Sequence, residues 1–359
     1  MIDFEPSDEQ SLVVETVRQF AENEIRPAAR DGDEAGALPA GVLEHAHELG
    51  LVANSLEERV GGGGDRSAVT ATLVLEELAW GDLAIALGIL SPALSALPIQ
   101  DFGSEAQRRT WLPSFTAEHF VPGSLAIVEP SFSADVLAPE TRAQRADSGW
   151  RITGRKCFVP WLADGETVLV TAMSDDGPAL FQISRQSDGL STEPESNLGV
   201  RGLPTVELDL DAVNVAEDAR LPGTSLPMLV QRGRVALAAA AVGSARAAYE
   251  IAREYAKQRE TFGAPIATRQ AIAFKLADMA IEIDGARLLT WEAAWRMDAG
   301  LDAAREATLA WQQAGRVALE VADGAVQVLG GHGYIRDYLP EMHLRNARGF
   351  AHFEALALV

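Results

Sequence analysis

Few side chains in this sequence have types and spacings suited to chemistry, and most of those spacings argue against a site. Cys157 is the lone cysteine, so neither an internal disulfide nor a cysteine-rich metal centre can form. His45 and His47 lie two apart, which on a helix points them in different directions, and His332, His343 and His352 lack the i, i+4 spacing of a helical metal pair. No metal is expected. Gly61-Gly62-Gly63-Gly64 could cradle a phosphate, but neither a strand nor a Gly-Lys-Ser/Thr signature surrounds the run, so a flexible interhelical loop is the expectation. Trp291, Trp295 and Trp311 fall at helical spacings and read as core. Glu354 is different. It stands among Phe350, Phe353, Ala355 and Leu356, company that would desolvate its carboxylate and suit it to acid–base work. The competing reading is a surface glutamate in a frayed terminus, because only five residues follow it.

Positioning such a carboxylate takes a fold, and the composition bounds it. The chain has 359 residues, 47% hydrophobic and 23% charged, the balance of a packed globular protein of two or three domains. Its net charge of −22 is the wrong sign for neutralising nucleic-acid phosphates or an anionic membrane surface. The N-terminus is acidic where a targeting peptide is basic, and residues 83–99 are uncharged but broken by Pro92 and Pro98, so a buried core helix and a cytoplasmic protein are expected.

Three zones follow one another. From Ser7 to about Pro113 the apolar spacing is helical; Leu12, Val13, Val17, Phe20 and Ile25 fall on one face, and further helices are expected near 39–49, 67–80 and 83–100. From about Val121 to Leu221 short strands alternate with turns. Val206, Leu208 and Leu210 interleave with Glu207, Asp209 and Asp211, the period of a half-buried strand. From Ser225 three long helices are expected, about 226–257, 267–298 and 302–328, with a short one near 340–348, which together make a four-helix bundle.

The segment Tyr255-Ala256-Lys257-Gln258-Arg259-Glu260-Thr261-Phe262-Gly263-Ala264-Pro265-Ile266, with Gln270-Ala271-Ile272 and Lys275-Leu276-Ala277-Asp278 after it, resembles the signature of the acyl-CoA dehydrogenase family. Glu76-Glu77-Leu78-Ala79, Phe102-Gly103-Ser104-Glu105, Trp111-Leu112-Pro113 and Gln327-Val328-Leu329-Gly330-Gly331-His332-Gly333-Tyr334 extend the resemblance over nearly the whole chain. It implies an N-terminal α-helical domain (1–120), a β-barrel-like middle domain (121–224) and a C-terminal four-helix bundle (225–359) that assembles into tetramers. The implied chemistry is α,β-desaturation of an acyl-CoA thioester: a carboxylate removes the α-proton, FAD accepts the β-hydride, and an electron-transfer flavoprotein reoxidises the flavin.

The resemblance places the base on Glu354. Some members carry it instead just before an arginine at the start of the bundle, and that position here is Gly233, before Arg234. Arg234, Leu90, Val128 and Ala134 are expected to border the substrate. Val128 and Ala134 stand where the family has a flavin-bonding threonine and a serine, and Pro160 replaces a second flavin-bonding threonine. The family's Gly-Thr-Ser/Ala-Gln run after the base is replaced by Ala355-Leu356-Ala357-Leu358-Val359. By contrast, Arg259, Phe262, Gln270, Gln327 and Gly331 match residues that reach the FAD of a neighbouring subunit. That asymmetry resembles the shortened subunits of bacterial heterotetrameric acyl-CoA dehydrogenases, in which a paralogue completes the site. A homotetrameric enzyme, a non-catalytic structural subunit and a flavin monooxygenase on the same scaffold are the alternatives; the acyl chain is not legible.

Overall fold

The computed structural model describes residues 5–354 and 356–359. Helices come first: α1 (Asp8–Phe20), α2 (Arg26–Ala35), α3 (Ala40–Glu48), α4 (Ala68–Gly81), α5 (Leu83–Ile89), α6 (Ser91–Phe102) and α7 (Glu105–Trp111). Ser7 opens α1 with a reciprocal capping box to Gln10. Val17, Phe20 and Ile25 turn inward, whereas Leu12, expected on the same face, is 69% exposed. The apolar run 83–99 is wholly buried but is not one helix. It breaks at Leu90 into α5 and α6, bent by 42°, with Pro92 at the start of α6 and Pro98 inside it. The loop 61–64 is not loose either. Gly62, Gly63 and Gly64 donate to the carbonyls of Glu57, Ala53 and Leu56, and a Cβ on Gly62 would meet Leu56 O at 2.2 Å.

An eight-stranded sheet follows: β1 (Leu125–Ala126), β2 (Arg142–Ala146), β3 (Gly149–Pro160), β4 (Thr167–Ser174), β5 (Gly177–Ser184), β6 (Leu190–Pro194), β7 (Thr205–Ala216) and β8 (Arg220–Leu221), in the order β6-β7-β3-β2-β4-β5-β8 with β1 beside β4. The sheet is mixed: β1 and β2 run parallel to β4, the other pairs antiparallel. Val206, Leu208 and Leu210 face inward on β7, as their alternation requires. The β3–β7 ladder slips between Lys156 and Val159, and that bulge throws Phe158 to φ +53°.

The chain then forms α8 (Leu226–Gln258), the hairpin β9 (Glu260–Thr261) and β10 (Ala264–Pro265), α9 (Gln270–Asp298), α10 (Ala304–Leu329), the single turn α11 (Gly331–Tyr334) and α12 (Pro340–Ala347). Among the described residues α8 is the one unbroken helix long and apolar enough to cross a membrane, and α5 with α6 would be a second only as one bent span; 78% of the most apolar window of α8 is buried within the fold. α4 packs on α8 so closely that a Cβ on Gly243 would lie 2.2 Å from Glu76 O. Glu76 and Glu77 pair there with Arg246, Glu76 also with Arg287 and Glu77 with Arg18. One apolar core runs through the N-terminal helices, the bundle and residues 356–359; a second lies within the sheet.

Candidate active site

Where the bundle meets the sheet, a cavity of about 620 Å³ is lined by Val128, Ala134, Phe158, Arg234 and Glu354, with Glu129, Asp135, Glu195 and Glu207 around it. Three of the four expected substrate-side residues and the expected base therefore share one space. Leu90 does not; it lines a separate cavity.

Glu354 arrives from α12 through a short 3-10 turn, Arg348–Ala351, whose Phe350 is buried against Phe353. Its carboxylate is only 14% exposed, yet its company is not purely apolar. Arg234 Nη2 donates to Glu354 Oε1 at 2.9 Å, and Arg234 Nη1 donates to Thr308 Oγ1 at 3.0 Å. The Arg234 guanidinium also sits 5.0 Å from the Trp311 ring centroid. The arginine is thus fixed by three groups, and the fork holds one carboxylate oxygen. To the apolar neighbours expected from the sequence the fold adds a charged partner, Arg234, which lies 120 positions upstream, beyond the reach of any local pattern.

The floor of the cavity is a polar network that the sequence reading missed. Glu129 Oε1 accepts from Lys156 Nζ (2.8 Å) and from Thr141 N (2.8 Å) and Oγ1 (2.6 Å), while Oε2 accepts from Glu140 N at 2.7 Å. Lys156 is 0% exposed and donates also to Thr171 Oγ1. Burial pushes its pKa down to about 8, with Glu129 opposing that shift; burial also pushes Glu129 up, but the Lys156 ammonium and the Thr141 hydrogen bonds together hold it below the usual carboxylate range. The pair is charged at neutral pH and ties the 129–141 segment to β3. Beside it, Cys157 is buried and its thiol is pushed up to about 12 by desolvation and by Glu195, so it stays protonated. The signal for this network was a lysine, one of three in the chain, at an inward strand position.

The other expected set lies on the outer edge of the bundle. Arg259 ends α8, and its exposed guanidinium has no ion-pair partner among the described residues, since Glu254 pairs with Arg253 and Lys257 instead. Phe262 and Gly263 form the β9–β10 turn at φ +52° and +77°; Phe262 is 98% exposed. Two consecutive positive φ values are what a two-residue type I′ hairpin requires; Arg269 Nη2 donates to Phe262 O at 3.5 Å, and the turn leaves the Phe262 ring in solvent. Gln270, Gln327 and Gly331 are exposed as well.

A helical–sheet–helical chain with a carboxylate between sheet and bundle defines a class. Family models for the N-terminal, middle and C-terminal domains of acyl-CoA dehydrogenase match residues 7–119, 124–213 and 227–354. The chain belongs to the acyl-CoA dehydrogenase family. It is 35% identical to a probable acyl-CoA dehydrogenase of Bacillus subtilis (strain 168), covering 97% of this chain and 94% of that one. Butyryl-CoA dehydrogenase from Megasphaera elsdenii superimposes with a TM-score of 0.90 at 31% identity, covering 98% and 96%. Glutaryl-CoA dehydrogenase from Mycobacterium smegmatis, in complex with FADH2, gives 0.90 at 27% identity over 97% and 91%.

The two regions differ in how they fit a flavin. On the sheet side Val128, Ala134 and Pro160 offer no side-chain donor, and the Phe158 N–H already donates to both oxygens of Glu195 at 3.1 Å. Five carboxylates and a single arginine line the space, so a flavin beside Glu354 would depend on a neighbouring subunit's bundle edge for its pyrophosphate contacts. The bundle edge, with a free guanidinium and two exposed amides, fits a pyrophosphate well.

Proposed function

We propose that this chain is one subunit of a cytoplasmic acyl-CoA dehydrogenase tetramer, pairing with a paralogue and acting in the FAD-dependent α,β-desaturation of an acyl-CoA thioester. The observation that carries this reading is the half-buried Glu354 carboxylate, presented to the cavity by Arg234. FAD, when bound, supplies the acceptor for the β-hydride. Glu354 removes the α-proton. Oε1 is occupied by Arg234, and Oε2, which has no protein partner among the described residues, is the oxygen that takes it. Arg234 keeps the carboxylate aimed while Val128, Ala134 and Phe158 keep water from it. Arg259, Phe262, Gln270, Gln327 and Gly331 would hold the flavin of the partner subunit, Arg259 supplying the planar fork that a pyrophosphate accepts. An electron-transfer flavoprotein would then accept the electrons.

Co-expression with an adjacent paralogous gene tests both halves of the reading. The chain alone is expected to purify nearly colourless and the complex yellow; a yellow homotetramer with one FAD per chain overturns the pairing. In the complex, Glu354→Gln should lower turnover by ~10²–10⁴. Activity within a few-fold of wild type would remove Glu354 as the base.

A further inference from the structure

The seam between α2 and α12 carries a buried polar cluster that the chemistry above does not use. Two arginine clasps hold the helices together there. Arg30 donates to Glu341 Oε1 at 2.6 Å and to Tyr338 O at 3.0 Å, and Arg345 forks onto Asp33 at 2.9 and 2.6 Å. Each charge in those clasps meets its opposite. One turn before Arg30, on the same face of α2, Arg26 has no carboxylate within ion-pair distance among the described residues. Its guanidinium lies 3.9 Å from the Trp80 ring centroid, and its buried Nη2 has no hydrogen-bond partner. Glu250, the carboxylate that acts on it most, is already taken by Trp80 Nε1 at 2.8 Å and by Arg246 at 3.9 Å. On α12, between Glu341 and Arg345, His343 is 1% exposed, and neither of its ring nitrogens has a partner. Burial, with the charges of Arg26 and Arg30 adding to it, pushes its pKa down to about 3, so the ring is neutral.

Buried polar atoms without partners, one of them on an unpaired cation, define what would satisfy them. The occupant must accept from the Arg26 guanidinium and from the one N–H of a neutral imidazole. A cation is repelled by Arg26 and Arg30. A water molecule accepts both bonds but leaves the buried charge uncompensated. The occupant is therefore an anion. It is also a small one, because the Arg30 and Arg345 clasps draw α2 against α12 and leave no width for an extended group. We propose that Arg26 and His343 form a binding site for a small monovalent anion such as chloride, which neutralises Arg26 and completes the seam between α2 and α12. Neither residue lines the Glu354 cavity, and the site does not rest on the desaturase reading.

The test is urea melting of the full chain in sodium chloride against sodium gluconate at equal ionic strength. Expected is a midpoint that rises with chloride and then saturates. Arg26→Met should abolish the rise, and His343→Leu should move half-saturation at least tenfold higher; should one variant fail to fold, the other decides. Crystals grown with bromide in place of chloride should show an anomalous peak within hydrogen-bond distance of both Arg26 Nη2 and the His343 ring, a result that stands even if neither variant folds. Equal midpoints in the two salts, a folded variant that responds to chloride like wild type, or bromide peaks at the surface only would each overturn the site. A water molecule alone between the two side chains would produce the first of these.

Discussion

The sheet wall of the active-site cavity and the outer edge of the bundle are expected to face the same kind of cofactor, yet their polar groups are in opposite states. In the wall each named polar group already has a partner: Glu129 accepts four hydrogen bonds, Glu195 takes the Phe158 N–H, and Glu354 takes Arg234. At the bundle edge Arg259 has no ion-pair partner among the described residues, and Phe262 is held exposed in a left-handed turn. A satisfied buried group gives a ligand nothing without losing a bond first; an exposed donor needs only to shed water. The difference supports the proposal that this chain serves the flavin of a neighbouring subunit from its bundle edge.

The comparison breaks most severely at its floor. Lys156→Met leaves the buried Glu129 without its countercharge, a change that costs about 3–5 kcal/mol, whereas adding Glu129→Gln removes the charge while keeping an acceptor for Thr141 and should restore part of it. Urea melts of the single and double variants check this; equal stabilities would show that the pair holds nothing. The pH dependence has a definite sign. Lys156 titrates near 8 when folded against 10.5 when unfolded, so the unfolded chain binds more protons in that window. Wild type should therefore gain stability from this group between those pH values, and Lys156→Met should lack that slope.

At the bundle edge a smaller effect is expected. Arg259→Ala removes a charge-assisted contact of about 1.5–3 kcal/mol, so the assembled complex should lose FAD at roughly ten- to a hundredfold lower dilution while still assembling. FAD occupancy equal to wild type would make Arg259 an ordinary surface arginine. The mildest change runs the other way. Val128→Thr with Ala134→Ser returns two hydroxyls to the wall, worth about 0.5–1.5 kcal/mol each, and should let the isolated chain retain measurable flavin absorbance. No gain would mean that the acidic lining, and not the missing hydroxyls, keeps flavin out.

Legibility in the sequence followed the range of the physics. The β7 alternation and the long helices α8, α9 and α10 were readable because period and length are local properties. The base role of Glu354 came from a resemblance, and only half of its setting was legible, because Phe350 and Phe353 are neighbours in sequence while Arg234 is a neighbour only in space. Leu90 was misplaced for a similar reason: the bend between α5 and α6 turns it away from the carboxylate cavity. The glycine run looked mobile because its hydrogen bonds go to the 3-10 turns at 53–60, which no periodicity announces.

The sharing of one apolar core by the two helical regions has a consequence for how the protein is made. Leu226 follows Trp111 by 115 positions, so α4 can pack on α1 and α5 early, but the part of its face that α8 covers waits until the whole sheet has left the ribosome. At ~5–20 residues per second that is a wait of many seconds with apolar surface bare, the condition under which chaperones engage a nascent chain. The sheet owns a separate core and can close in the meantime. The core that the two helical ends share is therefore completed only after the sheet between them has been made.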